Sequence, residues 1–416
     1  MLKGDYLKLF ESLEKFIPSE RLIYDELRQL AYGTDAGFYR LIPNLVVKVE
    51  NEEEAQKVII ECNRLKLPIT FRAAGTSLSG QAISDSVLLI LGGEWNKYQI
   101  LENGEKMKLQ PGVVGGFANL YLAPFNKKLG PDPASINSAK IGGIAANNAS
   151  GMTSGTAKNI YNTLLGMKIV FSDGTILDTN DDVSKDNFYK KRKDLVDKIS
   201  ELSKKVKENK PIANRIKQKY NMKNTCGYGV NSLVDFDDPY DIIAHLMIGS
   251  EGTLGFISEI TLKTVPELPN KATALIFFED TKTACMAIPI FNNLPVDAAE
   301  IMDRAALKAA ENKPGMPSFI KDLGNNVTAL LIETSALDHV TLNKNISDIT
   351  AAIDHLPKVQ PVSFTTNKYE YKKLWDIRKG LFPTVCAARK TGTTVIIEDV
   401  NLPTDRLADA VLDLQA

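Results

Sequence analysis

From Leu45 the chain alternates short apolar runs with longer amphipathic ones. Leu45 to Val49 predicts a strand, Glu52 to Leu65 a helix, and Pro68 to Arg72 and Val87 to Leu91 two further strands. Upstream, two helical patterns, Tyr6 to Phe16 and Ser19 to Leu30, lead into the loop Tyr32-Gly33-Thr34-Asp35-Ala36, so residues 1–40 read as an N-terminal helical segment that caps a domain. Asp181 to Asn224 is Lys-rich and helical, with Asp194, Asp197, Glu201 and Glu208 interleaved among the lysines, the pattern of a solvated excursion. After Pro266 and Pro269 the alternation restarts: strand Thr273 to Phe278, helix Thr281 to Phe291, strand Val296 to Met302, helix Arg304 to Asn312, strand Val327 to Glu333 and helix Asp338 to His355. A helix from Tyr369 to Arg389 and a strand from Thr393 to Val400 follow. The expected organisation is a first domain over 41–268, with its excursion at 181–224, and a second α/β domain over 270–416. Thr404 and Asp405 read as a helix start with Leu407, Val411 and Leu412 at helical spacing, so the chain is expected to be a piece of a longer protein, cut inside a helix.

Composition narrows the class. At 416 residues, 44% hydrophobic and 24% charged, the chain has ample interior for a buried cofactor, and disordered and fibrous classes are excluded. Fifty basic against fifty-one acidic residues leave a formal charge of −1, so no global field draws in nucleic acid or an anionic membrane. Cys62, Cys226, Cys285 and Cys386 are scattered, which argues for a reducing compartment and against an iron–sulfur cluster within the chain. The N-terminus lacks a signal-peptide pattern, and no apolar run is long enough to span a bilayer.

Thirteen of the 27 glycines fall between Gly75 and Gly155, threaded through loops, as when backbone must approach a large ligand. The first turn, Phe71-Arg72-Ala73-Ala74-Gly75-Thr76-Ser77-Leu78-Ser79-Gly80-Gln81, follows a strand and offers consecutive amides and hydroxyls to an anion. It has neither the lysine of a P-loop nor the spacing of a Rossmann fingerprint. The second runs from Gly130-Pro131-Asp132-Pro133-Ala134-Ser135 to Gly142-Gly143, Asn147, Asn148, Ser150 and Gly151, where Gly-Gly permits contact with a flat ligand. The third is Gly249-Ser250-Glu251-Gly252-Thr253-Leu254-Gly255-Phe256-Ile257, entering a strand from Ile260 to Val265.

In this order and spacing the three turns resemble those of flavoproteins of the vanillyl-alcohol oxidase type, specifically the FAD-linked D-2-hydroxyacid dehydrogenases acting on D-lactate, glycolate or D-2-hydroxyglutarate. The resemblance runs from Tyr32 to the last residue, and its ends are most similar to a long branch in which an iron–sulfur region follows the flavin region. It implies an α+β fold: a two-subdomain FAD-binding domain, then a truncated ferredoxin-like α/β substrate (cap) domain. It implies noncovalent FAD, since His245, His339 and His355 all lie outside the turns. Arg72, Ala73, Ala74, Gly75, Thr76 and Ser77 would hold the diphosphate. Pro131, Asp132, Ser135, Gly142, Gly143, Ala146, Asn147, Ser150 and Gly151 would line the isoalloxazine and phosphate, and Glu251, Gly252 and Ile257 the adenosine side. Ala73-Ala74 departs from the Gly-Gly common among relatives, which still leaves two amides to donate. Arg378 in Trp375-Asp376-Ile377-Arg378 is the expected clamp on the substrate carboxylate, against a surface helix arginine as the alternative. Glu398 and Asp399 either orient the site or serve as caps or ion-pair partners. His245 is a packing histidine or, failing a base elsewhere, the base. A base and a metal site would come only after a segment like Val395 to Leu414, and no metal site is expected within the chain. The implied activity is oxidation of a small 2-hydroxy acid, D-lactate first, with a quinone, a cytochrome or a fused iron–sulfur region as electron acceptor, in the cytoplasm or at the inner face of the membrane. The alternatives are a noncatalytic flavin or electron-transfer subunit and an aldonolactone oxidase or ether-lipid synthase.

Overall fold

The computed structural model describes residues 2–314, 316–394 and 400–415. It divides into two units, Met1–Pro266 and Glu267–Ala416. The first holds two sheets.

The four-stranded sheet has the order Leu22–Ile23, Leu45–Val49, Val87–Leu91, Ile69–Arg72. The last three strands are parallel, and Val87–Leu91, buried along its whole length, pairs with both neighbours. An unbroken apolar run suits such a strand because helices or loops cover both faces. Helix Glu52–Leu65 is capped by Asn51, whose side chain accepts from the Glu54 amide, and it buries Ala55, Val58, Ile59 and Cys62. Leu9 and Leu13 of helix Asp5–Leu13 join the same core, together with Trp95, whose indole N–H donates to the Val49 carbonyl at 2.9 Å.

The second sheet runs Tyr98–Leu101, Lys106–Leu109, Phe256–Pro266, Leu164–Val170, Ile176–Asp178 and is antiparallel. Phe256–Pro266 also pairs with Lys127–Leu129 at its far end. Its first residue, Phe256, is buried in the core of the other sheet, edge-on to Phe71 and Trp95 at 5.3 and 5.5 Å between ring centroids.

One expected helix is replaced. Ser19–Leu30 is not continuous: it forms a short 3₁₀ turn, Ser19–Arg21, the strand Leu22–Ile23 and a helix, Glu26–Tyr32, started by Asp25 accepting from the Arg28 amide. Leu22 and Ile23 gain more by pairing with Val47 and Val46 in a buried sheet than by helical continuation. The Lys-rich excursion forms two helices, Asp182–Glu208 and Lys210–Tyr220. The first kinks at Arg192 (φ −129°, ψ 37°), which reaches Asp173 at 2.8 Å. Lys193–Asp197 and Lys205–Glu201 are exposed ion pairs at 2.8 and 2.7 Å, which water screens so that they add little to stability.

The second unit is an antiparallel sheet of order Ala298–Met302, Thr328–Ala336, Asn270–Phe278, Phe364–Thr365, with helices on both faces. Strand alternation divides its core. Ala274, Ile276 and Phe278 pack with Phe291, Ile349 and Ile353 of two helices, while Phe277 packs with Met302, Leu307, Ile320 and Ala329. The expected helix Tyr369–Arg389 breaks into Lys368–Lys379 and Leu381–Ala388. Gly380 lies at the junction, and the residue three further on is a proline, which has no amide to offer the Lys379 carbonyl. Val395 to Asp399, most of the expected strand Thr393 to Val400 and with it Glu398 and Asp399, fall outside the described residues. No described helix is long and apolar enough to cross a membrane.

Candidate functional site

The three turns meet in the first unit around the helix Ile141–Asn147. Its start is fixed by the Ile141 and Gly142 amides, which donate to the Val113 and Pro111 carbonyls, both at 2.9 Å. Gly142 faces inward: a Cβ there would lie 2.6 Å from the Pro111 side chain. Gly143 faces the first turn, where the nearest atom to such a Cβ is the Ala73 methyl at 3.9 Å. At the other end, the Gly249 and Glu251 amides donate to the Ala145 and Ala146 carbonyls at 3.2 and 2.9 Å, and Asn147 donates to the Glu251 carboxylate at 2.7 Å. Gly252 (φ +75°) then sits against the Phe71 ring, on the strand that enters the first turn. Residues separated by up to about 180 positions thus close into one cradle.

The donor set suits an anion carried on a polar organic group. The five amides from Ala73 to Ser77 donate to no other group among the described residues. The hydroxyls of Ser150 and Ser250 are buried without a hydrogen-bond partner. Buried polar groups are ordinarily paired, so this grouping beside glycines held at close approach fits a ligand with many acceptor oxygens. Ser250 carries no separate sequence signal; its burial depends on the Gly249 and Glu251 contacts.

Asp132 bridges two parts of the second turn. Its amide donates to the Ser150 carbonyl at 2.6 Å, and its carboxylate accepts from the Thr153 hydroxyl at 2.6 Å and from the Thr153 and Ser154 amides. Burial pushes its pKa up, against the pull of those bonds. Gly151 (φ +118°) lies so close that a Cβ would be 2.1 Å from the Asp132 carbonyl oxygen. Pro131 precedes it in the same turn, and the Ser135 carbonyl ends the turn by accepting from the Ser138 and Ala139 amides. Glu251 adopts φ +53°, uncommon for a residue other than glycine, and burial raises its pKa as well.

Three expected site residues stand differently from the others. The Arg72 guanidinium donates to the main-chain carbonyls of Tyr32 and Thr34. The Ile257 side chain is in the sheet core, and its main chain is registered opposite Ile169 in the antiparallel ladder. Arg378 donates through Nη2 to Glu300 at 2.6 Å, while its buried Nε has no partner. His245 is a packing residue in its helix: Nδ1 is 2.7 Å from the Asp241 carbonyl, and the ring stacks on Phe236 at 3.9 Å and meets Tyr161 edge-on. Burial lowers its pKa. Among the described residues, no group of three or more His, Cys, Asp or Glu is placed to hold a metal ion.

Comparison with known proteins agrees with this division. Residues 43–180 match the FAD binding domain family, and residues 267–416 match the C-terminal domain of FAD linked oxidases. The glycolate oxidase subunit GlcD of Escherichia coli K12 is 26% identical over 389 residues, covering 92% of this chain and 66% of GlcD. D-lactate dehydrogenase of Anaerostipes hadrus is 24% identical, over 97% of this chain and 74% of its own. D-2-hydroxyglutarate dehydrogenase of Pantoea ananatis is 22% identical, over 93% and 40%. The chain therefore spans between two fifths and three quarters of these relatives' lengths, and just under two thirds of GlcD. Among solved structures, alkyldihydroxyacetonephosphate synthase superposes with a TM-score of 0.64 at 15% identity, covering 92% of this chain and 69% of its own. For p-cresol methylhydroxylase the TM-score is 0.63 at 14% identity, over 92% and 72%, a likeness of fold.

Proposed function

We propose, for a chain that belongs to the FAD-linked oxidases, that it takes part in oxidising a small D-2-hydroxy acid, D-lactate first, to the 2-oxo acid. The observation that carries the reading is the convergence of the three turns on helix Ile141–Asn147. FAD held there supplies a hydride acceptor for C2 of the substrate. The amides of Ala73 to Ser77 would hold its diphosphate, Pro131 to Ser135 and Gly142 to Gly151 would line the isoalloxazine and phosphate, and Glu251, Gly252 and Ile257 would close the adenosine side. No histidine lies within these turns, so the cofactor is noncovalent and acid precipitation should release its colour to the supernatant.

Arg378 is proposed to hold the substrate carboxylate. Its Glu300 partner fixes one corner of the guanidinium and leaves Nε as a buried donor. Arg378→Lys replaces a planar fork by a point charge and should raise the apparent KM for D-lactate about 5- to 150-fold, the equivalent of roughly 1–3 kcal/mol. The deciding experiment is anaerobic addition of D-lactate, D-2-hydroxyglutarate or glycolate, with bleaching of the flavin spectrum as readout. The Arg378–Glu300 pair, already neutral, favours a second reading, a noncatalytic flavin-binding subunit. Flavin reduced by dithionite but by none of the three acids, in a protein that also carries the base expected after a segment like Val395 to Leu414, would decide for it.

A further inference from the structure

The segment between the N-terminal helices and the first sheet contacts the first turn along its whole length. The Ala36 amide donates to the Gly75 carbonyl at 3.0 Å. The Asp35 carboxylate accepts from the Gly37 amide at 2.8 Å, and Gly37 is packed so that a Cβ would lie 2.5 Å from the Leu78 carbonyl oxygen. Tyr39 packs against Gly80, whose Cβ would meet its ring and Cβ at 3.5 Å.

Arg72 ties the two loops together. It is 8% exposed and donates through Nη1 to the Tyr32 carbonyl at 3.1 Å and through Nη2 to that of Thr34. A Cβ on Gly75 would stand 3.0 Å from its Nε and 3.4 Å from Cζ, so the guanidinium lies against the main chain of the turn. That Nε and Asp35 Oδ2 are both buried without a hydrogen-bond partner. Burial lowers the Arg72 pKa against the pull of the Asp35 carboxylate, its guanidinium is hydrogen-bonded only to neutral carbonyls, and a second anion on the neighbouring amides would add to what Asp35 offsets.

We propose that Tyr32–Tyr39 is a clamp on the diphosphate-binding turn, and that Arg72 is its positioning residue, acting through Gly75 and not as a contact to the cofactor. The inference rests on the cofactor reading above. It gives residues 32–39 a direct part in flavin binding, and it supplies a positive charge behind a turn that has no lysine of its own.

Two variants test it: Arg72→Gln, and Gly37→Ala, which opens the clamp without touching the guanidinium. Each is measured for FAD affinity by quenching of flavin fluorescence, and for hydrogen exchange of residues 32–40 in the FAD-free protein. The expected result in both is FAD affinity lower by about tenfold or more, with faster exchange in that segment. Arg72→Lys should recover part of the affinity, because the charge remains, while exchange stays fast. Weaker binding in Arg72→Gln with exchange unchanged would make Arg72 a direct contact. Faster exchange with affinity unchanged in both variants would leave the segment a structural cap. Either outcome overturns the clamp. Wild-type protein that takes up no FAD would overturn the cofactor reading and the clamp with it.

Discussion

Glu251 occupies a position where both backbone and charge are under constraint. Its φ of +53° costs about 1–2 kcal/mol for a side chain other than glycine, and the site retains it because its amide and carboxylate both tie the third turn to helix Ile141–Asn147. Burial raises the pKa of Glu251 and of Asp132 above the ordinary 4.5 and 3.8. Each acid therefore binds its proton more tightly folded than unfolded. The resulting stability is full below the unfolded pKa and is lost as pH rises through the folded one. The urea midpoint of the FAD-free protein minus that of Glu251→Gln, which keeps an acceptor for Asn147 but has no proton to lose, should thus fall as the pH is raised from about 4, whatever the carboxylates with lowered pKa, such as Asp173 and Glu54, add to both proteins alike. A difference that grows over the same interval would give the Glu251 shift the opposite sign. At Gly142, Gly151 and Gly252 the close approach of neighbouring atoms is a local steric demand, of the kind that a glycine announces in the sequence. The direction of Arg72 was not legible there, since its acceptors lie 40 and 38 residues away on a loop without a pattern of its own.

Helix Ile141–Asn147 separates two glycines that look equivalent in sequence. Gly142 has the Pro111 side chain 2.6 Å from any added Cβ, whereas Gly143 has only the Ala73 methyl at 3.9 Å. Gly142→Ala should lower stability by about 1–3 kcal/mol through overpacking. Gly143→Ala should keep the melting temperature, since alanine is also the better helix former, and should lose FAD affinity because its methyl occupies the space between helix and first turn. Thermal melts with FAD titrations of both variants check this; equal losses of stability would show that neither glycine faces an open side. Periodicity found Leu45–Val49, Glu52–Leu65, Val87–Leu91 and Thr281–Phe291 at their observed bounds, because each carries one clear pattern over its full length. It failed at Leu22–Ile23, two residues whose strand character comes from the partners Val47 and Val46. It also passed over Tyr98–Leu101, Lys106–Leu109 and Lys127–Leu129, strands of three or four residues with alternation too short to register.

At the scale of the whole molecule, all three turns and the clamp belong to Met1–Pro266, and Arg378 belongs to Glu267–Ala416. The first unit produced alone should take up FAD, while the second alone should not; equilibrium dialysis of each with FAD decides it, and a first unit that folds yet binds nothing would show that the cradle is incomplete without the second. The division near residue 267 was foreshadowed by Pro266 and Pro269 and by the end of the glycine-rich loops, a change of texture that needs no tertiary information. The strand Phe256–Pro266 has a further consequence, for the order of events during synthesis. It lies between Lys106–Leu109 and Leu164–Val170, and its first residue seals the other sheet beside Trp95. Its partners leave the ribosome some 90 to 150 residues earlier and must wait, with their edges unpaired, for the last strand of the unit. At about 5–20 residues per second that wait lasts from roughly 5 to 30 seconds, an interval in which exposed edges invite chaperones and in which no flavin can yet be held. Nascent chains stalled with Pro266 still inside the exit tunnel should therefore leave FAD in solution, and chains long enough to present the whole strand should capture it.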